Sequence, residues 1–145
     1  MDHLNELTQT PKLALIKTRI LAALIDAAIY FGIGYGIAAA FGMTFQTEGG
    51  FGFNLTGGPA ILFFFVWVIL TPVNEGLTGQ TIGKRVTGIQ VVKQDHSPTS
   101  IGTSLARHLL DVLDVILLVG IIIAASNSNK QRIGDLVAKT IVVIK

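Results

Sequence analysis

The sequence predicts an all-α integral membrane protein with two transmembrane helices, a third membrane segment and two short cytoplasmic β-strands. Three observations predict it. Half of the 145 residues are hydrophobic and only 14% are charged, against about 25% in soluble domains. Two apolar stretches, residues 18–42 and 59–76, match the roughly 20 residues a helix needs to cross hydrocarbon. A β-branched run at residues 85–93 ends in the turn signal Asp95-His96-Ser97-Pro98, the mark of a strand outside the lipid. The length allows one domain: a polar cytoplasmic N-terminus over residues 1–17 and a membrane domain over 18–144.

The first stretch carries Ala28, Gly32, Gly36 and Ala40 four residues apart, a smooth ridge against which another membrane helix can pack. Arg19 and Asp26 share a face of this helix but stand roughly 10–12 Å apart along its axis, too far for direct pairing. Arg19 can snorkel to the interface. Asp26 cannot, and a carboxylate at that depth costs about 2.5–3.5 kcal/mol unless protonated, paired or hydrated. Such a residue is a site candidate.

Residues 43–58 read as a glycine-rich loop. Pro59 suits the first turn of the second helix, and Pro72 is expected to kink or end it. Trp67, in the middle of that run, is expected to pack on a neighbouring helix rather than sit in an interfacial belt. Glu75 closes the span. The C-terminal run 140–144 is a second strand candidate able to pair with 85–93, each satisfying the other's backbone groups.

The third segment, residues 103–127, begins with Thr103, Arg107, Asp111 and Asp114 in one polar stripe, and Gly120 interrupts its apolar half. Arg107 and Asp111, four apart, can pair, whereas His108 falls off the stripe and reads as interfacial. Carboxylates this close compete for protons or bind a cation.

Basic residues set the orientation. Lys12, Lys17 and Arg19 precede or open the first span, Lys84, Arg85 and Lys93 follow the second, and the loop between them has none. The positive-inside rule puts the N-terminus and the Lys84 loop in the cytoplasm. A simple third span would place Lys130, Arg132, Lys139 and Lys145 outside and part the two strands. A re-entrant hairpin turning near Gly120 avoids both conflicts, provided protein or water shields its turn.

Several function classes are excluded. A net charge of +2, with no basic tract longer than Lys84-Arg85, gives no nucleic-acid footprint. The absence of cysteine removes disulfides, thiolate zinc sites and thiol catalysis. His3, His96 and His108 have no metal-ligand spacing, and no hydrolase signature is present. The stretch Thr78-Gly79-Gln80-Thr81-Ile82-Gly83-Lys84 matches phosphate-cradling loops only in part, and it follows no soluble strand. No enzyme activity and no cofactor is expected.

Three segments resemble the RDD family of small membrane proteins. They are Arg19-x-x-Ala22-x-x-x-Asp26; Glu75-Gly-Leu-Thr-Gly79-Gln80-Thr81-Ile-Gly83-Lys84-Arg85 with the Gly88–Val92 strand; and Gln131-Arg132-Ile-Gly134-Asp135-Leu-Val-Ala138-Lys-Thr140. Lys139 stands where the family usually has glycine. The resemblance implies that Arg19, Asp26 and Asp135 are the arginine and two aspartates of the family's name. It also implies, as one expectation, exchange of a monovalent cation such as Na⁺ for H⁺. A transporter of this size would have to work as a homo-oligomer or with partner membrane proteins. The competing expectation is a non-catalytic accessory or structural protein of the cell membrane, in contact with lipid and partner proteins.

Overall fold

The computed structural model describes residues 11–117, 119–126 and 128–145, without the side chains of 112–122. The polar start of the chain, residues 1–10, and the Asp114 side chain therefore lie outside the described residues. The main elements are helix α1 (Ile16–Ala40), strands β1 (Thr44–Thr47) and β2 (Gly50–Phe53), and helix α2 (Gly57–Val68). A π-helical turn (Ile69–Val73) joins α2 to α3 (Asn74–Thr78). Then follow α4 (Ile82–Val86), β3 (Ile89–Lys93), α5 (Ile101–Leu117), α6 (Val119–Ser126), α7 (Ile133–Val137) and β4 (Thr140–Ile144).

Two helical stretches, Ile16–Ala40 and Gly57–Thr78, are long and apolar enough to cross a membrane. Their large side chains face outward: Leu24 is 61% exposed and Phe65 58%. The core helix of a soluble domain would bury such residues, so this surface calls for a lipid solvent. Pro72 does not end the second stretch. It has no N–H to give and its ring crowds the carbonyl four residues back. The chain widens there into a π turn, in which Asn74 N–H reaches the Ile69 carbonyl five residues earlier, and the helix then resumes.

The glycine-rich loop is folded. β1 and β2 form an antiparallel hairpin pairing Thr44 with Phe53 and Thr47 with Gly50. Phe51 and Phe53 reach back to Phe31 and Tyr35 of α1, with ring centroids between 5.6 and 6.4 Å apart. Phe53 lies against Gly34, where a Cβ would stand 2.5 Å from the ring. The expected ridge of Ala28, Gly32, Gly36 and Ala40 is on another face. It is exposed, and nothing lies within 4 Å of where a Cβ of Gly32 or Gly36 would stand.

The predicted strand pair is present, starting later than expected. β3 and β4 are antiparallel, joining Ile89 to Ile144 and Lys93 to Thr140. Residues 85–87, read as strand, instead end α4, whose N-cap Thr81 accepts from Lys84 N–H at 3.3 Å. Gly88, at φ +67°, turns the chain into β3. Residues 12–14 run along β4, with Ala14 N–H donating to Val142 O and Ile144 N–H to Lys12 O, both at 2.9 Å. Ala14, Ala22, Ile89, Val91 and Val142 make a small core there. The start of α1, the end of α3, α4 and the β3–β4 sheet thus share one end of the molecule, and the β1–β2 hairpin caps the other end of α1. The third stretch forms two helices, α5 and α6. Early α5 and the following α7 meet through Arg107 and Asp135, so the chain returns to the place from which it set out.

Candidate functional site

At the end of the molecule shared by the sheet, five ionised side chains alternate in sign. Arg19, one turn into α1, donates to Asp135 Oδ2 and to the Lys130 carbonyl. Arg107 of α5 holds Asp135 Oδ1 through Nε at 2.9 Å and Nη2 at 2.6 Å. Its remaining nitrogen, Nη1, donates to Glu75 Oε1. Lys84 closes the chain by donating to Glu75 Oε2. Glu75 and Asp135 are 0% and 2% exposed, and water does not complete their shells. Ser104, one turn before Arg107, gives Glu75 a further hydrogen bond at 2.9 Å. Asp135 also accepts from Arg132 N–H at 3.1 Å, which fixes the first turn of α7.

Burial alone would raise the Asp135 pKa, but the Arg107 and Arg19 guanidiniums hold its carboxyl well below the usual carboxylate range. Burial pushes the Lys84 ammonium down, against the pull of Glu75.

Asp26, about two turns beyond Arg19 in α1, is held differently. Its carboxylate accepts from Thr81 Oγ1 at 2.6 Å and from Gly83 N–H at 2.7 Å. It makes no ion pair among the described residues. The second of those bonds depends on a missing side chain, because a Cβ at Gly83 would stand 2.1 Å from the Ala22 carbonyl oxygen. Glycine alone lets α4 come this close to α1.

The other motif-loop residues are connectors. Gly79, left-handed at φ +73°, ends α3, and its carbonyl accepts from Val91 N–H at 2.8 Å. Gln80 Nε2 donates to the Ile89 carbonyl at 2.8 Å. Thr81 both caps α4 and binds Asp26, and Lys84 reaches Glu75.

Arg19, Asp135, Arg107, Glu75 and Lys84 form a clasp of alternating charge. Beside the clasp lies a cavity of about 260 Å³, bordered by Asp26, Tyr30, Trp67, Thr71, Asp111 and Arg132 together with the outer faces of the clasp residues. The π turn sets Thr71 against Tyr30, and their hydroxyls share a hydrogen bond. Asp111 does not pair with Arg107. Its Oδ2 lies 2.7 Å from His108 Nδ1, because Arg107 is turned inward to Glu75 and Asp135. His108 is accordingly no interfacial bystander. Trp67 stands edge-on to it, ring centroids 6.3 Å apart, which is the helix packing expected of Trp67. His108 Nε2 is buried 3.3 Å from Glu75 Oε1 without hydrogen-bond geometry.

Arg19, Glu75, Arg107 and Asp135 therefore come together, Asp26 and Asp111 border the neighbouring cavity, and Asp114 lies outside the described residues. Ser104, Tyr30 and Thr71 are site residues that the sequence reading did not single out, while His108 was read as interfacial and Arg132 only as a basic residue of the third family segment. Ser104, Arg107, His108 and Asp111 follow an i, i+3, i+4, i+7 pattern, and that spacing was the available signal. No group of three or more His, Asp or Glu among the described residues stands where it could hold a metal.

No curated protein and no solved structure gives a significant match. A family model does, described as the RDD family and matching residues 13–139. The matched stretch contains every member of the clasp and the Asp26 contacts, and it covers most of the sequence. The chain belongs to the RDD family.

Proposed function

We propose that this chain is a non-enzymatic, multi-pass protein of the cell membrane. In this reading the clasp locks the cytoplasmic helix ends into a scaffold for a second copy or a partner membrane protein. One observation carries it: Glu75 and Asp135 each contact two cationic side chains, which leaves neither carboxylate an open position for a transported ion. The exposed Ala28–Gly32–Gly36–Ala40 face adds support, since nothing in the described chain covers it. The orientation keeps both termini and the Lys84 loop cytoplasmic, with residues 103–127 re-entrant. The antiparallel β3–β4 pair and the Arg107–Asp135 contact support that return. Single cysteines at Ser128 and Lys145 should resist an impermeant thiol reagent outside intact cells, while one at Gly50 reacts. Equal labelling of all three would replace the hairpin with a third simple span.

A second reading, exchange of Na⁺ or another monovalent cation for H⁺, is favoured by Asp26, a carboxylate beside the cavity with no cationic partner among the described residues. The deciding experiment is flux by purified protein in liposomes under opposed pH and Na⁺ gradients. The scaffold reading expects rates equal to protein-free liposomes. Flux that disappears in an Asp26→Asn variant, still inserted and monodisperse, would establish exchange instead.

A further inference from the structure

We propose that the cavity beside the clasp binds a zwitterion in which a primary ammonium and an oxyanion are joined by a short linker, the chemistry of a phosphoethanolamine group. The argument begins from the charges left over once the clasp is complete. Arg19, Arg107 and Lys84 are committed to Asp135 and Glu75, and Asp111 is engaged by His108. Two charged groups on the cavity wall remain without an ion-pair partner among the described residues: the carboxylate of Asp26 and the guanidinium of Arg132.

Among the described residues Asp26 receives two neutral hydrogen bonds, from Thr81 and Gly83. A carboxylate has roughly four lone-pair sites, so it retains capacity for the N–H groups of an ammonium. Arg132 sits at the N-cap of α7 and on the cavity wall. Its positive charge is felt by Asp111, but its guanidinium makes no ion pair among the described residues and can take an oxyanion in a forked bond. A simple cation would satisfy one wall and leave the other bare. A simple anion would do the reverse. A ligand carrying both charges answers both.

Size and position agree with this class. The cavity volume of about 260 Å³ falls below the roughly 300–1,000 Å³ typical of drug-sized ligand pockets. It suits a small polar group rather than an extended cofactor. The wall includes Arg19, one turn inside a membrane-length helix, the depth at which headgroups meet hydrocarbon. The hydroxyl pair Tyr30–Thr71 makes the adjoining surface polar where lipid alone would favour apolar side chains. The zwitterion can come from a phospholipid headgroup or from the free small molecule.

The test uses the full chain in phosphatidylcholine nanodiscs, with lipid retention read by native mass spectrometry and stability by thermal melting. Phosphatidylethanolamine, phosphatidylglycerol and soluble phosphoethanolamine are each added. A choline headgroup has no N–H to give Asp26, and phosphatidylglycerol has no ammonium. The expected result is preferential retention of the ethanolamine lipid by about tenfold. That preference should vanish in Arg132→Gln and in Ala27→Leu, which fills the cavity without touching a charge. Neither substitution touches the clasp's side chains, so both proteins are expected to melt as the parent does in phosphatidylcholine alone. Stabilisation by soluble phosphoethanolamine with the same variant sensitivity, and no preference among lipids, would assign the same chemistry to a free ligand. Equal retention of all three lipids with no response to phosphoethanolamine would overturn the proposal. So would a response to Na⁺ alone.

Discussion

The two ends of α1 are held by opposite means. At one end Arg19 and Asp26 enter a buried polar network whose partners come from α3, α4, α5 and α7. At the other, Phe31 and Tyr35 meet Phe51 and Phe53 of a hairpin whose outer side chains are exposed. Aromatic contacts are forgiving: each pair contributes about 0.5–1.5 kcal/mol and tolerates a shifted ring. Buried ion pairs are not, because losing one partner strands another charge without water. In a lipid-exposed chain, where burial of apolar surface adds little between helices, the charged end therefore determines how the segments sit together.

The hardest test of this contrast is Arg107→Leu. It would leave Glu75 with Lys84 and Asp135 with Arg19 as the one clasp cation each, and the expected loss is about 3–5 kcal/mol. Purified yield and melting temperature should fall together. A variant melting within error of the parent would show that the clasp is no fastener.

Acid should act on the same end more gently. The folded Asp135 pKa lies below its unfolded value, so its contribution to stability is complete above the unfolded aspartate pKa of about 3.9. That contribution fades as the pH falls below this value toward the depressed folded one. Melting temperatures measured from pH 7 downward should drop on the acid side, and Asp135→Asn should flatten that limb from a lower neutral starting point. The hairpin end carries only Glu48 among Asp, Glu and His over residues 41–56, so it has little to lose in acid. An acid limb of equal slope in Asp135→Asn would move the effect away from the clasp.

How much of this was legible in the sequence depends on the distance over which a residue acts. Hydropathy marks α1 to within two residues at each end, and β-branched runs mark β3 and β4, because those signals are local. The shared face of Arg19 and Asp26 is equally a matter of helical spacing. Their partners are not. Arg19 meets Asp135 across 116 positions of sequence, and no periodicity contains that contact. The family resemblance grouped Arg19, Asp26 and Asp135 without saying that Asp26 stands apart from the ion pairs. The Arg107–Asp111 expectation failed because a tertiary partner outcompeted a neighbour on the same helix. The β1–β2 hairpin was hidden by its glycines, which look like a loop until Phe51 and Phe53 have α1 to pack on.

At the aromatic end, Phe53→Ala removes the ring lying against Gly34 and should cost about 1–2 kcal/mol. The chemical-denaturation midpoint of the detergent-solubilised protein would shift modestly, with the acid limb unchanged. A loss as large as that of Arg107→Leu would erase the difference between the two ends.

The smallest expected effect belongs to the turn that carries the chain from the clasp into the sheet. Lys139 stands between α7 and β4 at φ +51°, a left-handed conformation in which a Cβ crowds the following carbonyl at about 1–2 kcal/mol. The same residue accepts Gln94 N–H on its carbonyl at 3.0 Å, so the sheet fixes it in that conformation. The lysine side chain is exposed and enters no ion pair among the described residues. Replacing it therefore removes strain and little else. Lys139→Gly should stabilise the protein by about 0.5–1 kcal/mol, the relief being partly offset by the greater freedom of glycine in the unfolded chain. That corresponds to a rise of about 2–4 °C in melting temperature. Lys139→Ala keeps the Cβ while removing the charge, so it should leave the melting temperature unchanged. Equal stabilisation by alanine and glycine would trace the gain to the lost lysine side chain, and the left-handed turn would then bear no strain.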